Sequence, residues 1–230
     1  MTTIPGNLQH VRARIATACQ RAGRGVEEVT LLAVSKTFGA DAVRAAAAAG
    51  QRAFGENYIQ EGVEKIAALR DLGLMWHCIG PIQTNNPRLV AEHFDWVHTV
   101  DRLKIAERLS AQRPADRPPL NVCIQVNIDG GANKSGVAPG EALALARAVA
   151  ALPQLKLRGL MSIPEIAPDF EAARAVHAGA RALFDQLNAD GLGLDTLSMG
   201  MSDDLEAAIA AGSTMVRIGT AIFGSRAPKP

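Results

Sequence analysis

Lys36 stands just past an apolar run. Leu31, Leu32, Ala33 and Val34 spell a short buried strand, and Ser35, Lys36, Thr37, Phe38 and Gly39 spell the turn after it. The chain has six lysines against eighteen arginines, so lysine is the scarcer basic residue here. The chemistry open to it is imine formation, which needs a neutral amine. A free lysine has a pKa near ~10.4, so only about one in 2,500 is neutral at pH 7. A half-buried strand end depresses that pKa by desolvation and suits the amine to nucleophilic use. The alternative is a lysine that lays its stem along the rim and keeps its head in water. Position alone does not choose between the two.

Arg217 raises a second question. In TMVRIG, strand alternation puts Met215, Arg217 and Gly219 on one face. If that face is inward, a guanidinium enters the interior and needs a partner, because an unpaired buried charge is costly. A carboxylate elsewhere in the chain would serve, and so would the ring nitrogen of a pyridine. Two neighbouring segments, SMGMSDD (198–204) and RIGTAIFG (217–224), combine small residues, hydroxyls and a helix start. Such loops cradle phosphate through backbone N–H groups. A phosphate between Ser202 and Gly219–Thr220 fits, provided Asp203 and Asp204 point outward; plain barrel closure with small residues is the other reading.

These residues need a scaffold. Strand patterns fall at 30–35, 52–54, 75–79, 95–99, 120–127, 156–161, 195–199 and 214–218. Helical patterns fall near 40–49, 57–69, 85–93, 101–112, 140–151, 170–188 and 203–211. Eight such units in 230 residues predict an α/β fold, a (β/α)8 TIM barrel with an extra N-terminal helix, as one domain over 1–230. An open doubly wound sheet competes, but the first turn, SKTFG, lacks the glycine-rich dinucleotide fingerprint. The leading helix is read from Leu8, Val11, Ile15, Ala18, Cys19 and Ala22. Its arginines, Arg12, Arg14, Arg21 and Arg24, precede the first acid, Glu27, as they would in a transit peptide. The apolar stripe leading straight into a strand favours a packed helix.

In a barrel the C-terminal strand ends form the working face. There the sequence puts Lys36, Asn57, His77, His98, Asn127, Met161, Ser162, Met201, Ser202, Arg217, Gly219 and Thr220. Each has a plainer use. Asn57 suits a helix cap with Gln60 in the reciprocal position, Ser202 to Asp204 suit a helix start, and His77 and His98 suit a polar core. The net charge of +1 predicts no nucleic-acid partner, and no apolar run reaches the ~18 residues of a membrane span. Cys19, Cys78 and Cys123 are far apart and sit in apolar patterns. They predict free buried thiols in a reducing compartment, the cytoplasm.

The order AVSK, FGENY, WHCIGPIQTN, GLMSIPE and SMGMSDDLEAAIAAGSTMVRIGTAIFG resembles the pyridoxal phosphate homeostasis family, from the leading helix to Gly224. The resemblance implies a fold type III barrel like the N-terminal domain of alanine racemase, with one pyridoxal 5'-phosphate (PLP) per chain. It implies that Lys36 is the Schiff-base lysine, that Asn57 lies near the ring and that Arg217 faces the pyridine nitrogen. Ser202, Gly219 and Thr220 would hold the phosphate. The strand-end residues His77, Met161, Ser162 and Met201 complete the expected contact set. The implied role is to hold PLP and release or deliver it, with PLP-accepting apo-enzymes as partners, without turnover and as a monomer. Racemases of this type add a tyrosine from a further β domain. This chain ends about six residues past GTAIFG, and its one tyrosine is Tyr58. A PLP-dependent racemase or lyase is the rival, and a class I aldolase-type barrel a third reading. Phe38, Gly39 and Asn86 depart from the family's SKTKP and QSNK, whereas Lys134 matches a family lysine.

Overall fold

The computed structural model describes residues 2–132 and 135–225. Eight parallel strands close into a barrel in chain order. They are β1 (Thr30–Val34), β2 (Ala53–Glu56), β3 (Met75–Cys78), β4 (Trp96–Val100), β5 (Leu120–Gln125), β6 (Leu155–Met161), β7 (Thr196–Ser198) and β8 (Met215–Ile218). β1 pairs with β8, Ala33 opposite Ile218, so the two ends of the sequence meet. The helices are α1 (Ile4–Arg21), α2 (Ala40–Ala48), α3 (Ile59–Ala68), α4 (Pro87–His93), α5 (Leu103–Gln112), α6 (Ala142–Ala150), α7 (Phe170–Ala189), α8 (Leu205–Ala211) and α9 (Thr220–Phe223).

Burial on both faces explains the strands' near-continuous apolar runs. Along β1 the side chains alternate. Ala33 packs outward with the helix residues Val43 and Ala46, while Leu32 and Val34 join Ile79 and Met215 inside the ring. A second inner cluster joins Trp96, Cys123 and Met161. The three cysteines are free and buried.

The leading segment is a packed helix. Thr3 caps it by accepting the Gly6 N–H, and Pro5 stands in its first turn. Leu8, Val11, Ile15, Ala18 and Cys19 are buried, and α1 lies against α8 and α9. Arg14 grips Glu206 of α8 through two bonds, 2.8 and 2.9 Å.

The structure departs from the sequence reading in four places. β2 runs on through Gly55 and Glu56, because the charge of Glu56 is neutralised in place by a lysine from α3. β5 stops at Gln125; beyond it Val126 bonds the Met161 carbonyl of β6 and forms an isolated bridge to Val137. Gly219 leads into the short helix α9, which the helical patterns did not include. Asn57 does not cap α3: Tyr58 takes that position without a side-chain bond.

Candidate functional site

A cavity of about 410 Å³ opens at the C-terminal ends of the strands. Its wall takes Val34 and Lys36 from the end of β1, Asn57 from β2, Ile79 from β3 and Ile163 from β6. Met201, Ser202 and Asp203 follow β7, and Arg217, Gly219 and Thr220 follow β8. Seven of the ten expected contact residues therefore meet in one space: Lys36, Asn57, Met201, Ser202, Arg217, Gly219 and Thr220. His77, Met161 and Ser162 are not in its wall; all three are buried in the barrel beside it. Lys134 lies outside the described residues.

The strand alternation read from TMVRIG holds: Arg217 points inward and is 4% exposed. Among the described residues its hydrogen-bond partners are Ser198 Oγ at 2.7 Å and the Ser162 carbonyl at 2.9 Å, with no carboxylate. Burial lowers its pKa to about 10, against the pull of Asp204, so it stays charged at neutral pH. Two of its N–H groups are engaged by the protein, and a guanidinium carries five.

Behind Arg217 runs a buried polar chain. Ser198 Oγ lies 2.9 Å from His98 Nδ1, and His98 Nε2 lies 2.8 Å from His77 Nδ1. His77 stacks on Trp96 with ring centroids 5.0 Å apart. Burial, then the charge of Arg158, takes the His77 pKa down to about 3. Burial, then His77 and Arg217, holds His98 well below its ordinary value. Both rings are neutral at pH 7. Arg217 donates to Ser198 Oγ, and the direction of the two bonds beyond it follows the histidine tautomers. The reading of these histidines as polar core is the one the geometry bears out. Ser198 is the member that strand reasoning missed. The signal was its place on the inward face of TLS, two residues after Thr196.

The loop after β7 is tied down by Asp204. One carboxylate oxygen accepts the Met201 N–H at 2.7 Å, and the other lies 2.8 Å from His177 Nε2. Burial raises the Asp204 pKa, but the His177 and Met201 bonds outweigh it and leave the group below the ordinary range. Asp204 thus turns to its own loop and α7, but Asp203 remains in the cavity wall, so the outward turn expected of both acids holds for Asp204 alone. Gly219 sits where a Cβ would come within 3.2 Å of the Val34 carbonyl, which measures how tightly β8 closes on β1.

Among the described residues, Glu56 Oε2, Asn57 Oδ1, Gln112 Oε1, Ser162 Oγ and His177 Nδ1 are buried with no hydrogen bond, and of these only the Asn57 oxygen belongs to a residue of this cavity wall. An orphaned polar group of this kind costs ~1–3 kcal/mol. Gly80 packs against the Asn57 backbone: a Cβ there would stand 2.0 Å from the Asn57 carbonyl. A phosphorylated pyridine aldehyde matches this wall, with an amine at Lys36, a cationic donor at Arg217, an unfilled polar group at Asn57, and hydroxyls and backbone N–H groups at Ser202 and Thr220. A larger cavity, about 590 Å³, lies at the opposite end of the barrel. Its arginines are already engaged, Arg158 with Asp195 and Asn121, and Arg181 with Asp185 and the Gly212 carbonyl.

Residues 6–227 match the family model described as alanine racemase, N-terminal domain. The class is thus a barrel of the alanine racemase N-terminal type. The pyridoxal phosphate homeostasis protein of Pseudomonas aeruginosa is 62% identical over 226 residues, covering 98% of this chain and 97% of that one. That of Escherichia coli K12 is 58% identical over 98% of both chains. PipY of Synechococcus elongatus, solved with PLP bound, superposes with a TM-score of 0.80 at 38% identity, covering 91% of this chain and 100% of that one. The chain belongs to the pyridoxal phosphate homeostasis protein family.

Proposed function

We propose that this protein holds PLP on Lys36 and gives it up again, as a buffer or carrier of the cofactor. The observation that carries this reading is the meeting of Lys36, the incompletely bonded Arg217 and the orphaned Asn57 in one cavity. When bound, PLP supplies an aldehyde, a pyridine nitrogen and a phosphate. Lys36 would be the amine that condenses reversibly with that aldehyde, with loss of one water. Water reverses the step, and no electrons are exchanged. Ser202, Gly219 and Thr220 take the phosphate, and Asn57 and Met201 border the ring. Arg217 donates to the ring nitrogen and keeps its own proton at neutral pH, so the ring stays a weak electron sink.

The same features favour holding over turnover. Tyr58, the one tyrosine of the sequence, is 53% exposed and is not in the cavity wall. The named relatives are homeostasis proteins, not racemases. Apo-enzymes that accept PLP are the partners this role calls for, and the three buried free thiols suit the reducing cytoplasm. We read the chain as a single-domain monomer with no nucleic-acid partner; no helix among the described residues is long and apolar enough to cross a membrane.

The test is an absorbance titration with PLP, with borohydride reduction and mapping of the adduct. We expect a yellow protein with the adduct on Lys36, and no covalent adduct in Lys36→Ala. An adduct elsewhere, or none in the natural sequence, refutes the reading. Exchange of the α-proton of amino acids in deuterated water, at rates typical of enzymes, would replace the carrier with a catalyst.

A further inference from the structure

The turn that carries Lys36 is clamped from below by a buried ion cluster centred on Lys65 of α3. Lys65 is 6% exposed. Its ammonium has three N–H groups, and all three are used at 2.7 Å: on the Ser35 carbonyl, on Glu56 Oε1 and on Glu61 Oε1. Glu56, at the end of β2, is fully buried and also accepts the Ser35 hydroxyl at 2.7 Å. Glu61 reaches from the first turn of α3 to accept the Thr37 N–H at 2.6 Å. The backbone is thus fixed on both sides of Lys36, through the carbonyl and hydroxyl of the residue before it and the N–H of the residue after it.

Thr37 shows what the clamp resists. Its φ is +69°, in the left-handed region. A β-branched residue rarely adopts that conformation, which costs about 1–3 kcal/mol and persists only where the surroundings impose it. None of Ser35, Glu56, Glu61 and Lys65 lines the main cavity. They do not meet a ligand there; they meet the turn. Burying an ammonium with two carboxylates is a costly way to fill space, and apolar residues of similar size often serve stability as well.

We propose that Lys65, with Glu56 and Glu61, is a positioning device for Lys36. It holds the turn in a strained conformation that aims the Lys36 amine into the cavity. This rests on the reading of Lys36 as the PLP-attaching amine. Lys65 and its acids are positioning residues, acting through the Ser35 carbonyl and hydroxyl and the Thr37 N–H.

The test uses the full chain with Glu61→Ala, since Glu61 is partly exposed and its loss leaves the Lys65–Glu56–Ser35 bonds in place. PLP is titrated in, and both the affinity and the borohydride-trapped fraction on Lys36 are read. We expect Glu61→Ala to lower the apparent affinity about tenfold and to reduce the trapped fraction at saturation. Adding Thr37→Gly should restore most of both, because glycine takes φ near +69° without strain. Lys65→Met should show the same loss, and Lys65→Arg less rescue than Thr37→Gly, since a planar fork does not match three converging acceptors. The positioning role is refuted if Glu61→Ala binds and attaches PLP like the natural sequence. It is also refuted if the loss follows a fall in thermal stability and Thr37→Gly restores neither. Absence of any Lys36 adduct in the natural sequence removes the function above and this inference with it; the other two results leave that function standing.

Discussion

Acid should unfold this barrel through its buried histidines before it reaches most of its carboxylates. Burial, then the charge of Arg158, lowers the His77 pKa from 6.5 to about 3. The folded pKa lies below the unfolded one, so the stability from neutral His77 is fully present above pH 6.5. It is lost as pH falls through 6.5 toward about 3. Only the unfolded chain takes up the proton in that window. Between about pH 7 and pH 5 the cost from His77 alone is about 2 kcal/mol. His98 is depressed in the same sense and adds to it. The lowered carboxylates, Asp204 and Asp195, lose their contribution only near and below their ordinary values. Glu56 works the other way, since burial raises its pKa and acid relieves it. Urea unfolding across this range, for the natural chain and for His77→Gln, separates the terms. Glutamine keeps an amide for His98 and cannot titrate. We expect the natural chain to lose stability on acidification and His77→Gln to lose about half as much or less. Equal slopes in the two proteins would refute the assignment of a buried neutral His77.

Asn57→Leu removes a buried acceptor that has no partner, so the ligand-free protein should gain ~1 kcal/mol in urea unfolding while its affinity for PLP falls. Gly80→Ala drives a Cβ to 2.0 Å from the Asn57 carbonyl, backbone against side chain. It should cost ~2 kcal/mol in the same assay and weaken PLP binding as Asn57 moves.

The eight strands were legible because each is buried on both faces and so is written as an apolar run between breakers. The inward face of β8 was legible for the same reason: alternation placed Met215, Arg217 and Gly219 together before any coordinates did. What escaped was polar pairing between distant segments. The second strand read as ending at Phe54 because a glycine and a carboxylate rarely continue a buried strand; Lys65 pairs with Glu56 and lies nine residues on. Lys65 itself follows Glu61 by four on α3, a spacing that also describes an ordinary surface pair. Its burial depends on Ser35, thirty residues earlier in the chain. Asn57 failed as a cap for a related reason. The helix begins one residue later than the capping pattern implies, which leaves the amide turned into the cavity wall.

Closure of the ring is what makes a site from these parts. Lys36 and Gly219 are far apart in sequence, and only the β1–β8 pairing sets their turns side by side. The turn of Lys36 then leans on α9 as well, with Phe38 stacked on Phe223 at 5.2 Å between ring centroids. From below, the Lys65 cluster fixes the same turn. The partners of Arg217 matter in another way. A carboxylate would have neutralised the guanidinium and used two of its donors in a fork. A serine hydroxyl and a backbone carbonyl leave the charge intact and donors free. Ser198 leads on to neutral histidines, so no anion behind Arg217 competes for that charge. A buried cation held this way would offer an acceptor ring nitrogen a donor without protonating it, which suits the proposed holding of PLP more than its turnover.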